Sequence, residues 1–207
     1  MPDYLNEFYI VAIAHIFAVM SPGPDFALIA RQSIMYGRKN AIYTSIGIAS
    51  GIIVHIIYIV LGFNLLSTNY FLFNAIRIFA SMYLFYLGLS SVLSKKRITF
   101  NNIEKNRNTV CSFMQSYKIG FITNVLNVKA ILFFISLYAS INTKTTNVML
   151  FLYGLWMSVI TCFWFIFLSY SFTGKYMERF TTKYYNYLNK FMGIILIYIS
   201  IKIYLNY

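Results

Sequence analysis

The sequence predicts an all-α integral membrane protein with about six transmembrane helices, arranged as two inverted three-helix repeats with both termini outside. Three observations lead to this fold class. The chain of 207 residues is 59% hydrophobic and only 11% charged, whereas soluble domains average about 25% charged residues. Its apolar residues fall into long runs with short polar connections. Most of its 17 Lys and Arg residues lie in those connections, where the signals that orient a membrane protein are found.

The apolar runs define the predicted spans. A run of about 20 apolar residues crosses the bilayer as a helix, because a strand would need alternating polarity and closure into a barrel. The first run is interrupted at Ser21–Asp25 and resumes at Phe26, which predicts a bent or two-part first helix. Asp3 and Glu7 stand at the N-terminal end of this run in place of basic residues, so we interpret it as a retained span and not as a signal peptide. The runs cover about 4–20, 41–63, 70–93, 113–140, 148–172 and 185–205.

The positive charges predict the orientation and the division of the chain. With the N-terminus outside, the inside connections carry eleven Lys and Arg residues and the outside connections carry two. The basic segment 95–112 is the only substantial loop, and it separates a first half, 1–94, from a second half, 113–207. An odd number of spans in each half makes the halves cross the membrane in opposite senses, as in transporters built from inverted repeats. We therefore predict one transporter domain over 1–207.

Several function classes are excluded by the composition. The net charge of +12 would suggest nucleic acid in a soluble chain, but the basic residues flank apolar runs, so the expected partner is the lipid bilayer and no nucleic acid. No nucleophile elbow, phosphate loop or zinc-protease motif occurs, so we predict neither an enzyme nor a cofactor. His15 and His55 are the only histidines, and neither has a ligand at metal-binding spacing, so no metal site is predicted. Each could relay protons or be a hydrogen-bonded structural histidine.

The strongest local signal is the segment Ser21–Asp25. Pro22 and Pro24 lack backbone donors and block the preceding helical turn, and Gly23 permits a sharp bend. Irregular backbone in a bilayer is tolerated only where it faces protein or water, so the freed backbone groups are candidates for binding a solute. The alternative is a simple bend, in which Pro24 begins a short interfacial helix and Asp25 interacts with its N-terminal dipole.

Apart from Asp3 and Glu7 in the N-terminal tail, Asp25 is the only carboxylate inside or bordering an apolar run. An ionised carboxylate at that depth is costly, so its protonation can be coupled to conformation, and we predict that it carries a proton. A cap of a helix near the cytoplasmic surface is the alternative role.

A second polar group lies within the fourth run and contains Asn124, Asn127 and Lys129. A lysine that deep either pairs with an anion or extends to the headgroups. Laying 24–27 over 128–131 matches Lys129 to Asp25, which predicts a mutual salt bridge or a contact between Lys129 and a solute carboxylate.

Gly47, Gly51 and His55 follow one another along one helical face. The small-xxx-small spacing of the two glycines permits close contact between helices. It would serve internal packing or a homodimer, with a direct solute contact as a further alternative.

These motifs together resemble the LysE/RhtB family of amino-acid exporters. The first half carries the residues 21–25 described above, then Gly37-Arg38-Lys39 and Gly47-x-x-x-Gly51. The second half carries Gly120-Phe121-x-Thr123-Asn124-x-x-Asn127-x-Lys129-Ala130-Ile131-Leu132-Phe133-Phe134. The similarity covers nearly the whole chain in length, span order and motif placement. It implies a multi-pass exporter of amino acids or their derivatives in the bacterial inner (cytoplasmic) membrane, driven by the proton gradient.

The family usually has Asn-Pro-Lys in its second motif, and here Val128 occupies the proline position. We therefore expect the second helix break to be absent or to be supported only by Asn127. In the exporter hypothesis, Asp25 carries the proton or binds the substrate amine, and Lys129 binds the carboxylate. The alternatives are cation or metal efflux, transmembrane thiol transfer through Cys111 and Cys162, and a decayed paralogue without transport activity.

Overall fold

All regular secondary structure in the described residues is helical. The computed structural model describes residues 3–67, 70–93, 111–139, 141–142, 144–173, 187, 190–191, 193–198, 200–201 and 204–205. The helices are α1 (Tyr4–Met20), α2 (Pro24–Ser67), α3 (Tyr70–Leu93), α4 (Phe113–Val125), α5 (Val128–Ala139) and α6 (Asn147–Phe172). The described positions from 187 to 205 are also helical, and we call them the C-terminal helix. Each predicted apolar run is thus helical where it is described, except that the run 113–140 is broken at 126–127.

Two helices are long and apolar enough to cross a membrane by themselves. They cover Pro24–Gly62 and Asn147–Phe172, and the bent pair α4 and α5 qualifies as a third span if it is counted as one. The helix α1 and the segment Ser81–Leu93 are apolar but shorter. The segments 94–110 and 174–186, which hold most of the orienting charges, lie outside the described residues. Six spans and the outside location of both termini therefore remain predictions.

The helix α2 has one kink, at Gly37. Its backbone angles there are φ 82° and ψ 175°, a region that residues with a Cβ rarely adopt. Gly37 divides α2 into a section 24–36, which continues the first apolar run, and a section 38–67, which contains the second run. The helix α1 and section 24–36 together form the two-part first helix that the interruption at Ser21–Asp25 predicts.

The second section of α2 packs very closely against α4. A Cβ built on Gly47 would overlap the carbonyl oxygen of Tyr117, and one built on Gly120 would overlap the carbonyl oxygen of Thr44. The side chain of Asn40 donates to the carbonyl oxygen of Cys111 at 2.7 Å, which fixes the start of α4 beside the same section. The glycine face thus serves internal packing, so it is occupied and not available to a second copy.

A second close crossing joins α3 to the C-terminal helix. A Cβ on Gly88 would lie 2.6 Å from the carbonyl oxygen of Gly193, and a Cβ on Gly193 would lie 2.5 Å from that of Gly88. The hydroxyl of Ser200 donates to the carbonyl oxygen of Ser81 at 2.7 Å along the same contact. Because both glycines meet each other's backbone, this crossing is reciprocal.

The core and the outer surface are both apolar. The largest buried cluster brings together side chains from five of the helices and the C-terminal helix, among them Val11, Ile52, Leu84, Leu137, Met157 and Leu196. Large apolar side chains also point outwards, with Phe71 83% exposed and Leu61 71% exposed. An extensive apolar exterior is unfavourable in water and favourable in lipid, so this surface agrees with residence in a membrane.

Candidate functional site

Two helix breaks meet at one cavity. The first separates α1 from α2 at 21–23, and the second separates α4 from α5, which are bent by 54°. About 480 Å³ of space between them is unoccupied by protein atoms, part of it open to the outside. The wall includes His15, Ala18, Val19, Ser21, Gly23, Asp25, Phe26, Ile52, Asn124, Asn127, Lys129, Ala130, Phe133, Phe134, Thr161 and Phe165.

The first break is a defined cap and not a loose bend. Ser21 ends α1 with extended backbone angles, and its N–H donates to the carbonyl oxygen of Phe17 at 3.1 Å. Pro24 is the first residue of α2, where the missing N–H costs no helical hydrogen bond. Pro24 therefore begins a helix, the section 24–36 of α2, as the simple-bend interpretation predicts.

The second break is present although Val128 replaces the proline of the family motif. The side-chain oxygen of Asn127 accepts a hydrogen bond from the N–H of Lys129 at 3.0 Å. The carbonyl oxygen of Asn127 accepts from the N–H of Ile131 at 2.9 Å. Asn127 is thus an N-cap of α5. The expectation that the second break is absent is therefore wrong. The alternative expectation, a break supported only by Asn127, agrees with the structure.

We predict that Asn127→Ala lowers the free energy of unfolding by about 1 kcal/mol, because α5 loses its cap. Val128 is the first residue of α5 and is 63% exposed, so a proline fits there and pre-sets the helical start. We expect Val128→Pro to restore part of the stability lost in Asn127→Ala. Thermal unfolding of the purified single and double variants in detergent measures both effects. A double variant less stable than Asn127→Ala alone would contradict this account of the break.

Asp25 lies in the first turn of α2 and faces the second break. Its Oδ2 atom accepts a hydrogen bond from the side-chain amide of Asn124 at 2.9 Å. The other carboxyl oxygen, Oδ1, is buried and has no hydrogen-bond partner, and the same is true of the Oδ1 atom of Asn124. Buried acceptors are rarely left unpaired. These two atoms can therefore accept hydrogen bonds from a solute, a proton carrier or water.

Lys129 reaches across to the end of α1. Its ammonium group donates to the carbonyl oxygen of Ser21 at 2.9 Å and to that of Ala18 at 3.4 Å. The structure describes both Lys129 and Asp25, and no ion pair within 4.0 Å forms between them. The predicted salt bridge is therefore not formed, and the lysine does not extend to the headgroups. It instead satisfies carbonyl groups that the helix end leaves free.

Gly23 makes room for this lysine. A Cβ built on Gly23 would lie 3.2 Å from Cδ and 3.3 Å from Nζ of Lys129. Gly23 lies at a backbone bend, although among the glycines that the structure describes only Gly37 has a positive φ. A bend at Gly23 is what the sequence predicts, and the close approach of Lys129 is a second physical reason for a glycine here.

The predicted packing residues hold Asn124 in place. A Cβ on Gly51 would lie 2.7 Å from Oδ1 of Asn124, so the glycine accommodates that side chain. His55 is fully buried, and its Nε2 atom lies 3.1 Å from the carbonyl oxygen of Asn124. Since a carbonyl only accepts, Nε2 carries the proton and Nδ1 accepts from the hydroxyl of Tyr58 at 3.0 Å. Both ring nitrogens are paired, so His55 is a structural histidine.

Sequence reasoning missed Thr161. It lies in α6, and its hydroxyl is 3.1 Å from Nε2 of His15 in α1. Both side chains are buried and contribute to the cavity wall. A threonine within an apolar run carries no local signal, because only the fold brings it to His15. Among the residues that the structure describes, no three His, Cys, Asp or Glu side chains group to hold a metal ion.

The comparison with known families agrees with this arrangement. The family described as "LysE type translocator" matches residues 16–206. The chain belongs to this family. No solved structure matches the chain.

Several relatives of the chain bear the names of efflux proteins. It is 31% identical over 149 residues to the threonine efflux protein of Escherichia coli (strain K12), covering 69% of this chain and 71% of the relative. It is 27% identical over 175 residues to the leucine efflux protein of Klebsiella pneumoniae, covering 80% of each. An uncharacterized membrane protein of Bacillus subtilis (strain 168), YrhP, is 25% identical over 195 residues, which is 89% of this chain and 91% of the relative.

Proposed function

We propose that the chain exports an amino acid or a close derivative across the bacterial inner membrane, by proton-driven alternating access between its two halves. The observation that carries this proposal is the cavity between the two helix breaks, to which Asp25 and Lys129 both contribute. A zwitterionic amino acid needs an acceptor for its ammonium group and a cation for its carboxylate. Asp25 with Asn124 supplies unpaired acceptors, and Lys129 supplies the cation.

The positions of the two breaks support an inverted repeat. Pro24 and Val128 each begin the helix that follows a break, and Asp25 and Lys129 are the second residues of those helices. The reciprocal contact of Gly88 with Gly193 is the kind of contact expected where a pseudo-two-fold axis passes between equivalent helices. Broken helices near the midplane at the repeat interface are the common solute site of such transporters.

The relatives support an amino acid as the solute. Two of them bear the names of a threonine and a leucine efflux protein, and both amino acids carry the same α-amino and α-carboxyl groups that Asp25 and Lys129 suit. Asp25 would bind the substrate amine, or would carry the proton whose entry drives export. A carboxylate inside the membrane is suited to either role because its charge is costly there.

The rival functions have less support. A metal cation would meet one carboxylate, Asp25, and would be repelled by the ammonium group of Lys129 in the same cavity. The argument for a decayed paralogue rested on Val128, and the break persists there through Asn127.

The test is efflux of a panel of labelled amino acids from cells that express the chain. We expect accelerated efflux of at least one amino acid relative to cells with the empty vector. Cells expressing Lys129→Met at equal membrane abundance are the matched control, and we expect them to lose most of the acceleration. If the chain accelerates the efflux of no amino acid, the export hypothesis fails and the decayed paralogue is favoured.

A further inference from the structure

The cavity has a second polar position, away from the charged pair. Apart from the residues of the two breaks, its wall is mostly aliphatic and aromatic, with Ile52, Phe133 and Phe165 among its members. The exceptions are His15 from α1 and Thr161 from α6, which lie 3.1 Å apart. Both are nearly inaccessible, at 2% and 1% exposure. Burying two polar side chains in an apolar wall costs desolvation free energy unless their hydrogen bonds are satisfied.

The pair leaves one hydrogen-bonding position unused. The Nδ1 atom of His15 is buried and has no hydrogen-bond partner. If Thr161 donates to Nε2, then Nδ1 carries a proton that nothing accepts. If Nε2 donates to Thr161 instead, then Nδ1 is an acceptor without a donor, and the threonine hydroxyl proton is also free. Each tautomer therefore has an unmet hydrogen bond on the cavity wall.

A hydroxyl group on the solute fits this position in either case, because it both donates and accepts. An aliphatic side chain of the same size would leave the bond unmet. A second ammonium or guanidinium group would have no carboxylate to pair with, since Asp25 is the one acidic side chain among the described residues of the wall.

We propose that His15 and Thr161 form a subsite that binds a hydroxyl group on the substrate side chain, so that the transporter prefers hydroxylated amino acids over aliphatic ones of equal size. This inference rests on the proposed export function, and it adds a selectivity that the charged pair alone does not provide. Binding sites that hydrogen-bond a substrate hydroxyl discriminate strongly against analogues that lack it, because the protein's own polar groups are then left unpaired.

The test compares threonine with valine, which are nearly isosteric and differ by the hydroxyl group. We expect the purified wild-type protein in proteoliposomes to export threonine faster than valine by on the order of 10-fold or more at low substrate concentration. In Thr161→Val, the histidine loses its partner and the ratio of the two rates should fall towards one. In Thr161→Ser, which keeps the hydroxyl, the preference for threonine should persist.

A binding measurement keeps the proposal open to refutation if Thr161→Val does not fold. Threonine should raise the unfolding temperature of the wild-type protein in detergent at concentrations where valine does not. Equal stabilisation by both, or an unchanged export ratio in Thr161→Val, would overturn the subsite while leaving amino-acid export intact. Export of neither threonine nor valine, nor of any other amino acid, would instead overturn the proposed function and this inference with it.

Discussion

Asp25→Asn is expected to reduce export driven by a pH gradient to the level of vesicles that lack the protein. Asparagine has the size of aspartate and can still accept from Asn124, which now donates to Oδ2 of Asp25 at 2.9 Å. What it cannot do is bind and release a proton, or offer a negative charge to an amine. Accumulation of labelled substrate in inside-out membrane vesicles with an imposed pH gradient measures the effect.

Asp3→Asn is the matched control for this change. Asp3 is exposed and caps α1 by accepting from the N–H of Asn6 at 3.3 Å, and asparagine is an equally good cap. We therefore expect Asp3→Asn to export normally. Substrate exchange without a pH gradient separates the two roles of Asp25. Exchange should persist in Asp25→Asn if the residue only carries the proton, and it should be lost if the residue binds the substrate amine. Undiminished gradient-driven export in Asp25→Asn would refute both roles.

Gly47→Ala is expected to cause the largest loss of stability among single methyl additions to α2. The added carbon would overlap the carbonyl oxygen of Tyr117, which belongs to the backbone of α4 and cannot move like a side chain. Overpacking of this kind costs about 1–3 kcal/mol. Separating α2 from α4 would also disturb the Asn124 amide, so export should fall with stability. Thermal unfolding of the purified protein in detergent measures the loss.

Gly62→Ala provides the control in the same helix. Nothing lies within 4 Å of a Cβ built there, and alanine favours a helix over glycine by about 1 kcal/mol. Its unfolding temperature should equal or exceed that of the wild-type protein. If Gly47→Ala and Gly62→Ala unfold at the same temperature, the close contact between α2 and α4 does not exist as described.

The helices were predictable from the sequence because apolar length is a direct consequence of the bilayer. The run near 70–93 corresponds to α3, and the interruption at Ser21 corresponds to the first break. The cluster Arg31, Arg38 and Lys39 marked a connection, but it did not show that this connection is helical on both sides of a kink at Gly37. Hydropathy records where the chain is apolar and does not record which backbone angles join two apolar stretches.

The charged residues of the candidate site were predictable from the sequence, whereas the groups to which they hydrogen-bond were not. Asp25 and Lys129 were conspicuous because charges are rare in apolar runs. The target of Lys129 was not readable, since the carbonyl groups of Ser21 and Ala18 carry no side-chain signature. The capping role of Asn127 was readable in outline, because asparagine is favoured before a helix. Thr161 could not be predicted as a site residue, since only its proximity to His15 in the fold identifies it.

The ammonium group of Lys129 caps a helix to which it does not belong. Two of its three N–H groups already serve the carbonyl oxygens of Ser21 and Ala18. In the proposed function, a substrate carboxylate would therefore bind the third N–H group or displace one of the two carbonyl oxygens. Displacement would leave that carbonyl group at the end of α1 without a hydrogen bond. In the first case the lysine offers the carboxylate one N–H group, and in the second the released carbonyl group loses its hydrogen bond, so either arrangement would limit the affinity for the substrate. In the proposed exporter, low affinity at this site would favour release of the substrate on the far side of the membrane.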